Sequence, residues 1–248
     1  MHAVFVFAHQ DDEYGIFFRI FTHCRQGHSV HCVYLTDGGN KAARRNAESA
    51  GVLHSMGVAG RNIHFPGCAF SWRDGALFRH YRDCVRWLAA FFAARADIAA
   101  VYVPAWEGGH PDHDVAHAAA VEALQDAARP AAAWQFPLYN GYRCSGPLFK
   151  TMLPLPHNGP VTEIPIPIAL RWKFVRLCLR YPSQWKSWTG LFPFVAAQYL
   201  FHGRQRLQRA SPRLWRRPHD GPLYYERRNF CSWSTLQKAL APDAPESA

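Results

Sequence analysis

Two short clusters hold the residues that could do chemistry. The first is Ala8-His9-Gln10-Asp11-Asp12-Glu13, and the second is Glu107-Gly108-Gly109-His110-Pro111-Asp112-His113-Asp114. Two histidines and one carboxylate hold a divalent ion and leave a position for water. That arrangement suits a catalytic zinc, whose water titrates at a pKa of about 7. A second carboxylate takes the water's proton. A further imidazole stabilises an oxyanion or protonates a leaving amine. The inventory fits hydrolysis of an amide-like bond. Each cluster alone also has an ordinary reading. His9 is then a strand-end histidine, Asp11-Asp12-Glu13 an acidic helix start favoured by the helix dipole, and residues 110–113 a polar loop. Two such clusters, each after a buried strand, favour a site.

The elements that must position them alternate. Residues 3–8 are a continuous apolar run, as in a strand buried on both faces. Residues 13–26 read as a helix with Phe17, Ile20 and Cys24 on one face, stopped at Gly27. A strand at 29–36, a helix at 41–56 ended by Gly57, a short strand at 62–65 and a long helix at 76–96 follow. Residues 99–104 are a strand, a helix runs from the second cluster to 128, and 132–136 are a further strand. Pro111 suits the first turn of that helix, which places His113 in the turn and His117 one turn on. This alternation predicts an α/β fold with a mostly parallel sheet flanked by helices. In such sheets the crevice lies outside the carboxyl ends of the strands, where both clusters fall.

From about residue 140 the rhythm breaks. Prolines 147, 154, 156, 160, 165 and 167 argue for loops or edge strands, and 171–180 and 184–201 look helical. The expected organisation is a core over 1–140, a basic, mainly helical C-terminal lobe over 141–240 packed on it within one domain, and a tail over 241–248. The chain has 248 residues, 49% hydrophobic and 19% charged, a globular composition that excludes disorder over most of its length. Seven cysteines without a CxxC read as small core residues in a reducing, cytoplasmic setting rather than a disulfide framework. The N-terminus lacks a basic leader region and reads as a strand. The longest apolar stretch, 191–201, is too short to span a bilayer. No GxGxxG or GxxxxGK[ST] occurs, so dinucleotide and P-loop readings lack their main feature.

The two clusters resemble the signatures of the LmbE-like, or PIG-L, family of metal-dependent N-acetylglucosaminide deacetylases. The family's A-H-P-D-D-E is here Ala8-His9-Gln10-Asp11-Asp12-Glu13, and its H-P-D-H is His110-Pro111-Asp112-His113. The match extends to Leu35-Thr36-Asp37-Gly38 and to the helix bearing Arg44, Arg45 and Glu48. Tyr181-Pro182-Ser183-Gln184 is a weaker echo of the family's H-x-S-Q. The resemblance implies a Rossmann-like fold and a hydrolase of carbon–nitrogen bonds in linear amides. It implies His9, Asp12 and His113 as ligands of zinc, with ferrous iron as the alternative. Asp11 is then the general base. His110 polarises the acetyl carbonyl or acts as acid, with Asp112 orienting it. Arg45, Arg44 and Asp37 are the implied substrate contacts, Arg45 preferred over Arg44. Glu13 and Asp114 fall back to helix-start residues, and His117 to a helix residue near the site. Gln10 stands in place of the family's proline, and Gly108 where some relatives carry a catalytic tyrosine.

The net charge is +10 and uneven. No Asp or Glu lies between Ile164 and His219, while eleven Lys and Arg do, leaving the remainder of the chain at −1. Trp172, Trp185, Trp188, Tyr199 and Trp215 are interleaved with those cations. This is either the exposed face of a packed lobe, with arginine stems over apolar surface, or a peripheral contact with a membrane surface or anionic glycolipid. No recognised nucleic-acid module accompanies the charge. The leading expectation is thus a zinc-dependent N-deacetylase acting on an N-acetylated amino sugar within a glycolipid or glycoconjugate. The rival is a non-catalytic membrane-surface or nucleic-acid binding protein on the same fold.

Overall fold

The computed structural model describes residues 1–127, 132–210 and 216–241. The N-terminal apolar run forms β1 (His2–Phe7), buried from Ala3 onward. Then come α1 (Phe17–Arg25), β2 (Ser29–Tyr34), α2 (Ala42–Met56), β3 (Ile63–His64), the short α3 (Pro66–Ala69) and α4 (Tyr81–Ala93). β4 (Ile98–Pro104), α5 (Pro111–Asp126) and β5 (Ala132–Phe136) complete the alternating part. Side chains of β1 alternate between two apolar layers: Ala3, Phe5 and Phe7 face one, and Val4, Val6 and Ala8 the other. A strand covered on both faces needs no polar face, which explains the unbroken apolar run.

After β5 come a two-stranded ribbon of β6 (Tyr139–Asn140) and β7 (Lys150–Thr151), then β8 (Thr162–Pro165), α6 (Ile168–Cys178), α7 (Trp185–Ala197), β9 (Arg204–Arg209), α8 (Tyr224–Arg227) and α9 (Trp233–Leu240). The main sheet has the order β3-β2-β1-β4-β5-β9-β8. The first five strands are parallel, and β9 and β8 add antiparallel. The expectation of a mainly helical lobe beyond 140 therefore needs correction, because this region also extends the sheet by two strands. β9 reads Arg-Gln-Arg-Leu-Gln-Arg and hides its strand character in buried amides. Gln205 donates to Gly15 O at 2.8 Å, and Gln208 to Leu155 O and Gly159 O at 2.9 and 2.7 Å. Pro165 ends the edge strand β8, where a missing N–H costs no ladder bond. All seven cysteines are free. Among the described residues no helix is long and apolar enough to cross a membrane. Of the expected tail, all but Ala241 lies outside the described residues, as do Arg213 and Trp215.

A histidine chain crosses β1, β2 and β3. His31 uses both ring nitrogens, approaching His2 Nδ1 at 3.0 Å and His64 Nε2 at 3.3 Å. Burial first, then Arg95, His64 and His2, pull its pKa from 6.5 to about 4. The unfolded chain therefore takes up a proton that the folded chain refuses. The stability due to neutral His31 is complete above 6.5 and is lost as pH falls toward about 4. Glu13 and Glu107, raised to about 7 by burial, work in the opposite sense. Their effect cancels when wild type is compared with His31→Gln. The Tm advantage of wild type over this variant is expected to shrink as pH falls through that window. A gap that stays constant in thermal melts would refute this account of His31.

Candidate metal centre

The order β3-β2-β1-β4 reverses the direction of strand addition between β1 and β4. A crevice opens there at the carboxyl ends, and the two clusters occupy it. After β1 the chain turns through Asp11, which adopts φ 114° and ψ −15°. A left-handed conformation strains a residue with a side chain, and such strain concentrates at functional positions. The Asp11 N–H is held by the Glu13 carboxylate at 2.8 Å, which itself accepts from the Tyr34 hydroxyl. The turn sends neighbouring carboxylates different ways. Asp12 Oδ2 accepts the Ala8 and His9 amides at 3.1 and 2.8 Å. Asp11 Oδ2 accepts from Trp188 Nε1 at 3.1 Å.

On the β4 side, His110 caps α5 and Pro111 begins it. His113, in the first turn, presents Nε2 to Asp12 Oδ1 at 3.1 Å and to His9 Nδ1 at 3.2 Å. His9 Nδ1 lies 3.7 Å from Asp12 Oδ2. Ligands bound at about 2.0–2.1 Å with tetrahedral angles stand about 3.3 Å apart, so these three side chains have the spacing of a metal face. Their surroundings favour a cation as well. Burial alone would lower the His9 pKa, but the Asp74 charge and hydrogen bonds to Asp112, Asp12 and Asp74 raise it well above the ordinary value. The donor set of two imidazoles and a carboxylate, in a site crowded with aspartates, fits zinc or ferrous iron.

The cavity at this centre has about 380 Å³ and is also lined by Asp11, Arg45, Asp74, His110, Tyr139 and Gln184. Several placements differ from the sequence expectations. The Asp112 carboxylate does not orient His110. Oδ2 meets His9 Nε2 at 3.1 Å, and the two oxygens accept from the Gly75 and Leu77 amides at 2.7 and 3.0 Å. Only its backbone N–H reaches His110, at Nδ1. Arg44 points outward to Glu48 at 3.0 Å, away from the cavity. Asp37 does not line the cavity, and its Oδ1 holds the Gly39 and Asp74 amides at 2.9 and 3.0 Å. Arg45 lines the cavity, clamped by Asp74 at 2.6 Å. Gln10 ties the turn to α2 through Asn46 at 2.7 Å, whereas the family's proline has no such donor. His117 bonds to Pro104 O at 2.8 Å and lies outside the ligand group. Glu13 and Asp114 lie in the first turns of their helices, as expected. Both are buried, and Asp114 accepts the Glu107 and Gly108 amides.

Residues 4–124 match the family model PIG-L, described as GlcNAc-PI de-N-acetylase. Segment 4–124 of the chain belongs to the PIG-L family. No curated protein matches it significantly. Among solved structures it is similar to a deacetylase of the teicoplanin biosynthesis pathway, with 16% identity, a TM-score of 0.61, and coverage of 85% of this chain and 99% of that one. N,N'-diacetylchitobiose deacetylase from Pyrococcus horikoshii gives 19%, 0.52, 84% and 82% in the same order. The 4-carboxy-2-hydroxymuconate hydratase GalB from Pseudomonas putida KT2440 gives 16%, 0.56, 86% and 97%. At such identities the likeness is one of fold, and the fold hosts more than one reaction.

The PIG-L segment supplies every side chain of the His9–Asp12–His113 face, together with Asp11, Arg45, Asp74 and His110. Tyr139, Gln184, Trp188 and Phe230 come from beyond it. The sequence reading missed Asp74, Tyr139 and Trp188. Only the direct attachment of Tyr139 to a strand tip could have signalled one of them. A side chain at Gly108 would be strained and would press on Leu223. Gly108 adopts φ 69°, and a Cβ there would lie 2.7 Å from Leu223 Cδ2. Tyr139 instead brings a phenol to the wall, its ring 5.5 Å from that of His113.

These contacts assign different roles to neighbouring residues. His113→Ala should abolish stoichiometric binding of zinc or ferrous iron with an unchanged circular dichroism spectrum. Asp112→Asn should weaken metal affinity about 10- to 100-fold, the usual effect of removing a carboxylate behind a ligating histidine. Competition titration with a chelating dye measures both. Wild-type affinity in Asp112→Asn would remove Asp112 from the support of His9.

Proposed function

We propose that this chain is a metal-dependent hydrolase that removes the acetyl group from an N-acetylated amino sugar. The observation that carries the reading is the convergence of His9, Asp12 and His113 within the PIG-L segment, with Asp11 beside them in one cavity. A divalent ion at those ligands supplies Lewis acidity toward the amide carbonyl and toward water. Asp11 is the general base. Burial, followed by the charge of Asp12, raises its pKa well above the carboxylate range against the opposing pull of Arg45. A more basic carboxylate takes a water proton more readily. The Trp188 N–H fixes its direction.

His110 serves as a neutral donor. Its Nδ1 accepts the Asp112 N–H, so the ring proton sits on Nε2. Burial, then the His9 charge, lowers its pKa to about 3, which favours polarising the acetyl carbonyl over delivering a proton as imidazolium. Tyr139 is a second donor. Burial first, then Asp12 and Asp11, push its pKa well above 10.0, and the phenol keeps its proton. The two donors stabilise the oxyanion. Arg45, steadied by Asp74, binds sugar hydroxyls. A purely binding protein would have no use for a strained Asp11 beside a complete ligand face.

The substrate reading comes from the next cavity. It has about 340 Å³, shares Tyr139, Ser187, Leu191 and Phe230 with the site, and adds Phe149, Tyr224, Lys186 and Arg228. Aromatic walls with two cations suit an apolar or aromatic aglycone that bears an anion. A glycolipid or phosphate-bearing conjugate is thereby favoured over a free sugar.

Acetate release should be measured on N-acetylglucosamine and on its nucleotide-, aryl- and lipid-linked conjugates, with the highest kcat/KM expected for the linked forms. Asp11→Asn should lower kcat by about 10²–10⁴-fold with metal content unchanged. Tyr139→Phe should lower it by about 10²–10³-fold. Metal-loaded protein that releases no acetate from any of these, or an Asp11→Asn variant at full rate, would sink the reading.

A further inference from the structure

The proposed chemistry leaves one face of the molecule unused. On the outer side of α6 and just beyond it, Ile168, Trp172 and Leu179 are 70%, 55% and 63% exposed. Spacings of four and seven put them on one side of a helix, with Arg176 between. Leu179 then enters a groove of about 290 Å³ together with Tyr181, Trp185, Trp188 and Phe192. Trp185 is itself 59% exposed. Four of the eleven large apolar side chains exposed among the described residues, Ile168, Trp172, Leu179 and Trp185, thus lie along this stripe and groove.

The charge of the same region is partly consumed by structure. Arg171 donates to the Ile166 and Leu200 carbonyls, Arg206 pairs with Glu163, and Arg209 covers the Trp134 ring. Arg176, Arg180 and Lys186 are exposed beside the apolar stripe, and no carboxylate occurs anywhere in 165–218. Trp and Leu side chains interleaved with cations match the headgroup layer of an anionic bilayer. Rings and aliphatic groups enter the acyl boundary while cations meet lipid phosphates. A nucleic acid would meet the charge and leave Ile168 and Leu179 in water.

We propose that this face docks peripherally on an anionic phospholipid bilayer. Helix α7 joins it to the cavity. Ser187 and Leu191 line the cavity, Trp185 and Phe192 line the groove, and Trp188 lies between with its N–H on Asp11. Docking therefore brings the cavity close to lipid, where a membrane-borne substrate would be presented. That last step rests on the proposed deacetylation, but the docking itself does not.

The test is co-sedimentation of the full chain with vesicles of phosphatidylcholine alone and of phosphatidylcholine mixed with phosphatidylglycerol. Association is expected with the mixed vesicles only, weakening as salt rises, with a blue shift of tryptophan emission. Arg180→Glu should lower the partition coefficient at least about fivefold, the worth of one cation at such a surface. Leu179→Glu should lower it further. Chelator-treated protein should bind as well as untreated protein, which separates failure of docking from failure of the chemistry. Absence of binding to anionic vesicles, equal binding to neutral ones, or wild-type affinity in both variants would overturn the proposal. So would a dimer in light scattering that Leu179→Glu converts to monomer, since a second copy would then cover this face.

Discussion

The parallel pairing of β1 with β4 is the contact from which the candidate centre follows. From β1 the chain moves outward through β2 and β3, then returns to lay β4 on the other side. Crossovers leave the two strands in opposite directions, and their carboxyl ends are left facing an open crevice. The pairing is regular toward those ends, its one irregularity falling at His2 and Ala3. Phe5 and Tyr102 lie opposite each other and stack with ring centroids 4.6 Å apart. Strands this well buried hold His9 and His113 at fixed separation, which is the condition for a preorganised ligand set.

Rigid strands deliver the clusters, but buried carboxylates shape the turns that follow. Gly108 and Gly109 carry the chain past Leu223 and Tyr139 where a Cβ would clash. Such a path leaves amide donors without a strand partner, and buried donors need acceptors. Asp114 accepts two of them. Glu107 accepts the Leu138 and Tyr139 amides at 2.7 and 3.0 Å. Glu13 does the same for Asp11 across the crevice. The cost of burying these groups is visible in the pKa of about 7 reached by Glu13 and Glu107. Acidic residues that touch no substrate thus fix the direction of those that would, and the strain at Asp11 persists because its amide is held.

This division explains what could be read from the sequence. The five parallel strands were legible because burial on both faces writes an apolar run. The grouping of His9, Asp12 and His113 was legible because these residues sit within a few positions of two strand tips. β9 was not, since its inward side chains are glutamines whose amides are satisfied by distant carbonyls. Asp74 was not, since its place depends on a loop that Asp37 holds. Asp112 was misassigned for a related reason. A motif gives the order of residues but not the rotamer, and the carboxylate turned toward His9 instead of His110. The cations of 165–218 looked alike in sequence, yet Arg171 and Arg206 stitch carbonyls and a carboxylate while Arg180 faces solvent.

The PIG-L segment alone does not complete the site. The His9–Asp12–His113 cluster is internal to 4–124, but the group that directs Asp11, the proposed general base, is Trp188 on α7, far along the chain. Trp188 is held from three sides: its N–H on Asp11, Tyr14 edge-on at 5.3 Å, and Tyr181 stacked at 6.0 Å. The same ring lines the groove beside Leu179 and Trp185. A displacement of α7 against α6 would therefore alter the orientation of Asp11 while leaving His9, Asp12 and His113 in place. The proposed ligands and the proposed base are thereby anchored to different parts of the fold. A chain so arranged can change its C-terminal half, and with it the cavity and groove that α7 lines, without disturbing the His9–Asp12–His113 cluster that the β1–β4 pairing fixes.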